Sequence, residues 1–365
     1  MAKYIYQSPF WPNFNWNDAE LNLFLGEVRH LQGKIAGQMS TIGFLPRQDA
    51  QLNSLTLDVV KSSEIEGEHL NYDQVRSSVA IRLGIEAGGL ATEDRRVDGV
   101  VDMVLDATVN FLSPITKERL CGWHAALFPT GYSGPYKIEV GRYRSGEMQI
   151  VSGAMGKEKV HYEAVEAARV PQEMGIFIDW LNSDVPMDPV LKAAVAHFWF
   201  IIIHPFDDGN GRIARAISDL FLARSEKSAE RFYSMSSQML IQKKNYYATL
   251  QKVQHSDGDI TDWMQWFLDC VHLALVDTES QLRSLMVKTE FWHKMDKTPI
   301  NERQRILLNK LFDHFDGHLS TSKWAKIAKC SHDTALRDIK DLVEKGILRE
   351  DLAGGRSKNY RLMAP

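Results

Sequence analysis

The chain has 365 residues, 44% of them hydrophobic and 25% charged, and a formal net charge of −4. That is ample length for two or three domains of ordinary globular composition, with no internal repeat or low-complexity segment. Three well-separated cysteines, Cys121, Cys270 and Cys330, suit neither a disulfide framework nor a zinc site. No apolar stretch is long enough to span a bilayer, and the N-terminus lacks the apolar core of a signal peptide, so a cytoplasmic protein without a membrane partner is expected.

Helical patterning dominates in chain order. Trp16 to Leu21 opens a first helix with Asn17 or Asp18 as its cap, and a second begins near Leu52 and holds Ser62-Ser-Glu-Ile-Glu66-Gly67. Asp94 to Phe111 and Thr116 to Phe128 open a helical core running to about Thr278. Met148 to Val151 and Val160 to Tyr162 read as strands of a hairpin around a glycine-containing turn. Ala193 to Ile203 is apolar throughout, too long for an average strand, and its alanines favour a buried helix. Arg212 to Arg224 is the next helix, with Ile213, Ala216, Ile217, Leu220 and Phe221 on one face. Past Thr298-Pro299, helices over 302–315, 322–329 and 332–345 precede two strands at 346–349 and 359–362. Strands should be confined to the hairpin, the C-terminal segment and the aromatic N-terminal edge, giving a mainly α fold.

Between the two central helices lies His204-Pro-Phe-Asp-Asp-Gly-Asn-Gly-Arg212-Ile-Ala-Arg215. A glycine-lined turn that opens a helix offers backbone N–H groups and the positive end of a dipole to an anion. Gly209 and Gly211 let phosphate oxygens approach the backbone, and Asn210 tolerates left-handed dihedrals and can donate from its side chain. Asp208 supplies hard oxygens of the kind Mg²⁺ takes when it bridges phosphates. Arg212 and Arg215, three residues apart, share one helix face and can both fork onto phosphate. His204 is the nearby side chain able to take a proton near neutral pH. Each residue alone has a plain structural reading; their joint spacing does not.

The loop resembles the motif of the Fic family, His-x-Phe-x-(Asp/Glu)-Gly-Asn-Gly-Arg-x-x-Arg, at every specified position. The resemblance implies a protein adenylyltransferase that moves AMP from ATP to a hydroxyl of a target protein. His204 would be the base, Asp208 the Mg²⁺ ligand, Gly209, Asn210 and Gly211 an anion hole, and Arg212 and Arg215 phosphate holders. Upstream, Ser62, Glu66 and Gly67 resemble the family's inhibitory motif, (Ser/Thr)-x-x-x-Glu-(Gly/Asn), whose glutamate pairs with the second arginine, here Arg215. A carboxylate there removes a guanidinium that should orient the γ-phosphate. The hairpin is similar to the flap on which a target's backbone docks as an added strand in that family.

Tyr246 and Tyr247 lie on the helix from which family members supply an adenine wall, although paired helical aromatics are core residues more often. The C-terminal segment resembles a winged helix-turn-helix, through 324–331 and 334–338, with Ala353-Gly-Gly-Arg-Ser357 as the wing. From Thr321 onward ten Lys or Arg face six Asp or Glu, and Arg337, Lys340, Arg356 and Lys358 could form a DNA-binding face. Protein binding or support of a homodimer would suit the same module. The domains expected are 1–90, helical and carrying the inhibitory helix; 91–297, a Fic-type helical bundle with the flap; and 298–365, the winged helix. Two other activities fit these residues: an ATP-sensing DNA-binding regulator, and a hydrolase that removes AMP.

Overall fold

The computed structural model describes residues 3–85, 94–152, 159–312, 315, 317–351 and 358–363. The chain divides into two compact units, Met1–Thr278 and Glu279–Pro365. The first opens with α1 (Asp18–Thr41), α2 (Phe44–Ile65), α3 (Tyr72–Arg82), α4 (Arg95–Val109) and α5 (Lys117–Leu127). Two antiparallel strand pairs follow: β1 (Tyr132–Ser133) with β2 (Tyr136–Lys137), and β3 (Gln149–Ser152) with β4 (Lys159–Glu163). Next come α6 (Val170–Asn182), α7 (Pro189–Ile203), α8 (Asn210–Glu226), α9 (Met235–Ile241), α10 (Lys243–Val253) and α11 (Thr261–Lys294), whose residues from Glu279 onward belong to the second unit.

The core is built around α7 and α8. Asp188 caps α7 by accepting from Val190 N at 2.8 Å, and Pro189 occupies the first turn, where no helical N–H is lost. Every residue from Val190 to Ile203 is buried, which explains an apolar run with no polar face. Helix α8 packs along α7 and also touches α2, α4 and α5. Asn17 is the cap of α1, accepting from Ala19 N at 3.1 Å.

Three expectations need correction. Helix α2 begins at Phe44, not near Leu52. Pro46 sits in the first turn, where proline is tolerated; Phe44 and Leu45 are exposed, so the buried stripe becomes visible only at Leu52. The aromatic N-terminal edge is a 3₁₀ turn, Ile5–Gln7, with one isolated bridge between Asn15 and Asp259, because Tyr4 and Tyr6 are used to pack on Tyr162. The short β1–β2 pair, with both Tyr132 and Tyr136 exposed, has no burial pattern by which a sequence could announce it.

One buried charge cluster joins α2 to α8. Arg231, 1% exposed, lies 2.6 Å from Asp58 of α2 and 2.6 Å from Asp219 of α8. Asp58 also accepts from Ser234 Oγ at 2.7 Å and Ser236 N at 3.2 Å. Burial pushes the Asp219 carboxyl up to about 7, against the pull of Arg231. Arg231→Met should therefore cost about 3–5 kcal/mol, because it strands two buried carboxylates; denaturant melts of the two proteins check this, and an unchanged midpoint would refute it.

The second unit contains α12 (Glu302–Phe312), β5 (Leu319–Ser320), α13 (Thr321–Ala328), α14 (His332–Glu344), β6 (Leu348–Asp351) and β7 (Asn359–Leu362). Its strands form an antiparallel sheet in the order β5-β7-β6. Leu307, Leu308, Trp324, Ile339 and Leu342 make its core. The wing at 353–357, Arg356 within it, the hairpin turn at 153–158 and the boundary near residue 90 lie outside the described residues. No helix of the described residues is long and apolar enough to cross a membrane.

Candidate active site

Helix α7 stops at Ile203, and His204 turns the chain in the left-handed region (φ 52, ψ 60) while its N–H still bonds Phe200 O at 2.9 Å. That conformation costs a non-glycine residue about 1–2 kcal/mol and must be held from outside. Arg144, 2% exposed, does so. Its Nε donates to His204 O at 2.8 Å, its backbone N–H to Pro205 O at 2.9 Å, and its remaining donors to Gly146 O and Val165 O. The His204 ring sets Nδ1 3.2 Å from Ile201 O. A carbonyl only accepts, so the proton sits on Nδ1 and Nε2 is left as the basic nitrogen. Burial drives the His204 pKa down to about 4, the Ile201 carbonyl opposing it, so the ring is neutral at pH 7.

The loop after His204 is braced from within. Phe206 is fully buried and stacks on His124 with centroids 4.3 Å apart. Asn210 does not adopt left-handed dihedrals: it is the first residue of α8, and Gly209 before it takes φ 77. The Asn210 side chain spans the turn, accepting from Phe206 N at 3.0 Å and donating to Phe206 O at 2.8 Å. It shapes the loop and leaves anion contacts to backbone N–H groups at the head of α8. Asp208 accepts from Gly209 N at 2.6 Å and from the Ser133 hydroxyl, and neighbouring Asp207 accepts from Glu139 N at 2.8 Å. Among the described residues no three His, Cys, Asp or Glu side chains gather into a metal cage. A single fixed carboxylate beside a phosphate-sized turn is the donor set Mg²⁺ accepts, since that ion takes most of its shell from water and substrate phosphates.

Both arginines of the loop are buried on α8 and both are already paired. Arg215 Nη2 lies 2.8 Å from Glu66 Oε1 and 2.9 Å from Ser62 O, and its Nε donates to Ser62 Oγ at 2.8 Å. Its Nη1 is buried without a hydrogen-bond partner. Gly211 makes this possible: a Cβ there would stand 2.1 Å from Glu66 Oε1. Arg212 Nη1 lies 2.8 Å from Glu68 Oε2, with its guanidinium 5.1 Å over the Phe128 ring. It faces a cleft of ≈ 480 Å³ whose lining includes Glu68, Asp94, Arg96, Phe128 and Ser133.

The two tyrosines separate. Tyr246 is 3% exposed, packs on Trp263 and Trp266, and places its hydroxyl 3.1 Å from His197 Nε2, so its ring belongs to the core. Tyr247, 45% exposed, keeps a face free. The expected hairpin forms as β3 and β4, and it is tied to the end of α7 because the Tyr162 hydroxyl donates to Ile202 O at 2.8 Å. Sequence reasoning missed Glu68, Arg144, His124 and Ser133. Glu68 carried a local signal, as the second carboxylate of Glu66-Gly67-Glu68; the others act across distances that no local pattern encodes.

Residues 114–222 match the Fic/DOC family, and residues 4–85 match a domain of unknown function, DUF4172. The chain is 31% identical over 180 residues to protein adenylyltransferase fic-1 of Caenorhabditis briggsae, a match covering 46% of this chain and 32% of that protein. It is 26% identical over 239 residues to protein adenylyltransferase Fic of Nematostella vectensis, covering 64% and 51% respectively. The chain thus spans a third to a half of these relatives' own length. The crystal structure of a Fic family protein from Desulfovibrio desulfuricans G20 matches with a TM-score of 0.53 at 22% identity, over 97% of this chain and 98% of that one. The mainly helical fold is that of Fic proteins, and the chain carries a Fic/DOC domain.

Proposed function

We propose that the protein is an adenylyltransferase that moves AMP from ATP to a Ser, Thr or Tyr hydroxyl of a target protein and releases pyrophosphate. The observation that carries this is a neutral His204, Nε2 free, placed beside the amino end of α8 and its paired arginines. His204 takes the proton as the target oxygen attacks the α-phosphorus and the bond to the bridging oxygen of pyrophosphate breaks. The N–H groups of Asn210 and Gly211 hold phosphate oxygens, Gly209 leaves them room by its left-handed turn while its own N–H bonds Asp208, and Arg212 and Arg215 hold the departing charge. Asp208 would hold Mg²⁺, which would neutralise the phosphates and orient them. Tyr247 lies against the adenine, backed by Tyr246. The target strand adds to the β3–β4 hairpin, whose anchor at Ile202 lies two residues from His204.

Glu66, with Ser62 and Gly67, restrains the enzyme by occupying Arg215, so that bound ATP cannot place its α-phosphate in line with the acceptor. Residues 1–90 carry this restraint, 91–297 the chemistry, and 298–365 a winged helix whose exposed Arg337 and Lys340 on α14 suit DNA. The site of action is the cytoplasm. Incubation with ATP labelled at the α-phosphate should label protein, while γ-labelled ATP should not. Loss of AMP from pre-modified protein, with no α-label gained, would assign removal instead.

A further inference from the structure

The segment after α2 ends in a specific cap. Gly67, at φ +85, is the left-handed residue; its N–H bonds Glu64 O at 3.0 Å, and Glu68 N–H reaches back to Ser63 O at 3.0 Å. These two bonds define a Schellman motif, in which the residues on either side of the glycine are fixed relative to the helix end. Those residues are Glu66 and Glu68. Their carboxylates meet Arg215 and Arg212, 2.8 Å away in each case, and the two arginines are one helical turn apart on α8.

We infer that Glu68 is a second inhibitory carboxylate, and that the α2 cap withholds both phosphate-binding arginines at once. The inference rests on the adenylyltransferase reading and deepens it. Arg212 is 3% exposed and sits over Phe128, so the partner it holds is the one that Nη1 faces; an incoming phosphate must displace Glu68 to take that donor. Glu68 is half exposed, so its hold on Arg212 is the weaker of the two and is worth no more than an ordinary partly solvated pair. The geometry also gives Gly67 its function. A side chain there would strain the left-handed turn and shift both carboxylates together.

The test uses the full chain in four forms: wild type, Glu66→Gly, Glu68→Gln and the double variant. Gln keeps the length of the side chain, and the cap survives because its bond is made by the Glu68 backbone N–H. Two quantities are read, the dissociation constant of a non-hydrolysable ATP analogue by calorimetry and the rate of α-label transfer. Glu68→Gln in the Glu66→Gly background should tighten the analogue by about fivefold, as expected for removing one partly exposed competing pair, and raise transfer further. Unchanged affinity, or weaker affinity because Glu68 serves to orient Arg212 for phosphate, would overturn the inference. If the analogue tightens but no variant transfers label, the adenylyltransferase reading fails while the second carboxylate stands.

Discussion

Replacing Glu66 with glycine is expected to raise transfer of α-label from ATP by about a hundredfold, including transfer onto the protein itself. In the resting chain Arg215 spends Nη2 on Glu66 and Ser62 and Nε on Ser62, while Nη1 is buried with nothing to hold. ATP can still enter, but its γ-phosphate cannot take the guanidinium that would draw the chain of phosphates straight. A misplacement on the order of 1 Å at a reacting centre costs roughly 10²-fold in rate, which sets the size of the gain. The variant also frees Gly211, whose α-carbon now stands against the Glu66 carboxylate. Labelled ATP and mass spectrometry of the proteins that gain AMP measure the result; equal rates in wild type and variant would remove Glu66 from the account of regulation.

His204→Ala in the same background should lower transfer by about 10²–10⁴-fold while leaving affinity for the ATP analogue in place, since the ring takes a proton and holds no phosphate. The intact ring has a signature. Burial keeps the His204 pKa near 4, so the base is unprotonated above that value and lost below it. The acid limb of kcat/KM in the Glu66→Gly variant should therefore fall near pH 4, where an unperturbed histidine would put it near 6.5. A limb at 6.5 would mean the ring is solvated in the working enzyme.

The candidate loop was legible because its residues are contiguous: twelve of them, from His204 to Arg215, carry the proposed base, the turn and the cations. Helices α7 and α8 were legible through length and burial, although α7 shows no periodicity since both its faces are covered. What escaped was tertiary. Nothing in the sequence around Arg144 shows that its donors reach His204 O and Gly146 O. Asn210 reads as an anion donor until its amide is found bridging Phe206. Tyr246 and Tyr247 are adjacent in sequence but face a closed core and open solvent respectively, because neighbours on a helix point about 100° apart. Glu68 stands in plain view two residues after Glu66, but a solvated glutamate after a glycine is the default on any surface, so its place beside Glu66 did not by itself point to Arg212.

The Arg231 cluster limits how release can happen. Asp58 fixes α2 to α8 eight residues before Glu66, about 12 Å along the helix. A helix pinned there cannot swing away whole without exposing a buried guanidinium and two carboxylates. The last two turns are themselves held, with Val59, Ser62, Ser63 and Ile65 buried, so the exposed cap from Glu66 onward is the part that opens at small cost. The inhibitor proposed above would then be a short catch on a rigid post. A releasing signal needs to grip only the residues around Gly67, and the fold behind them stays as it is.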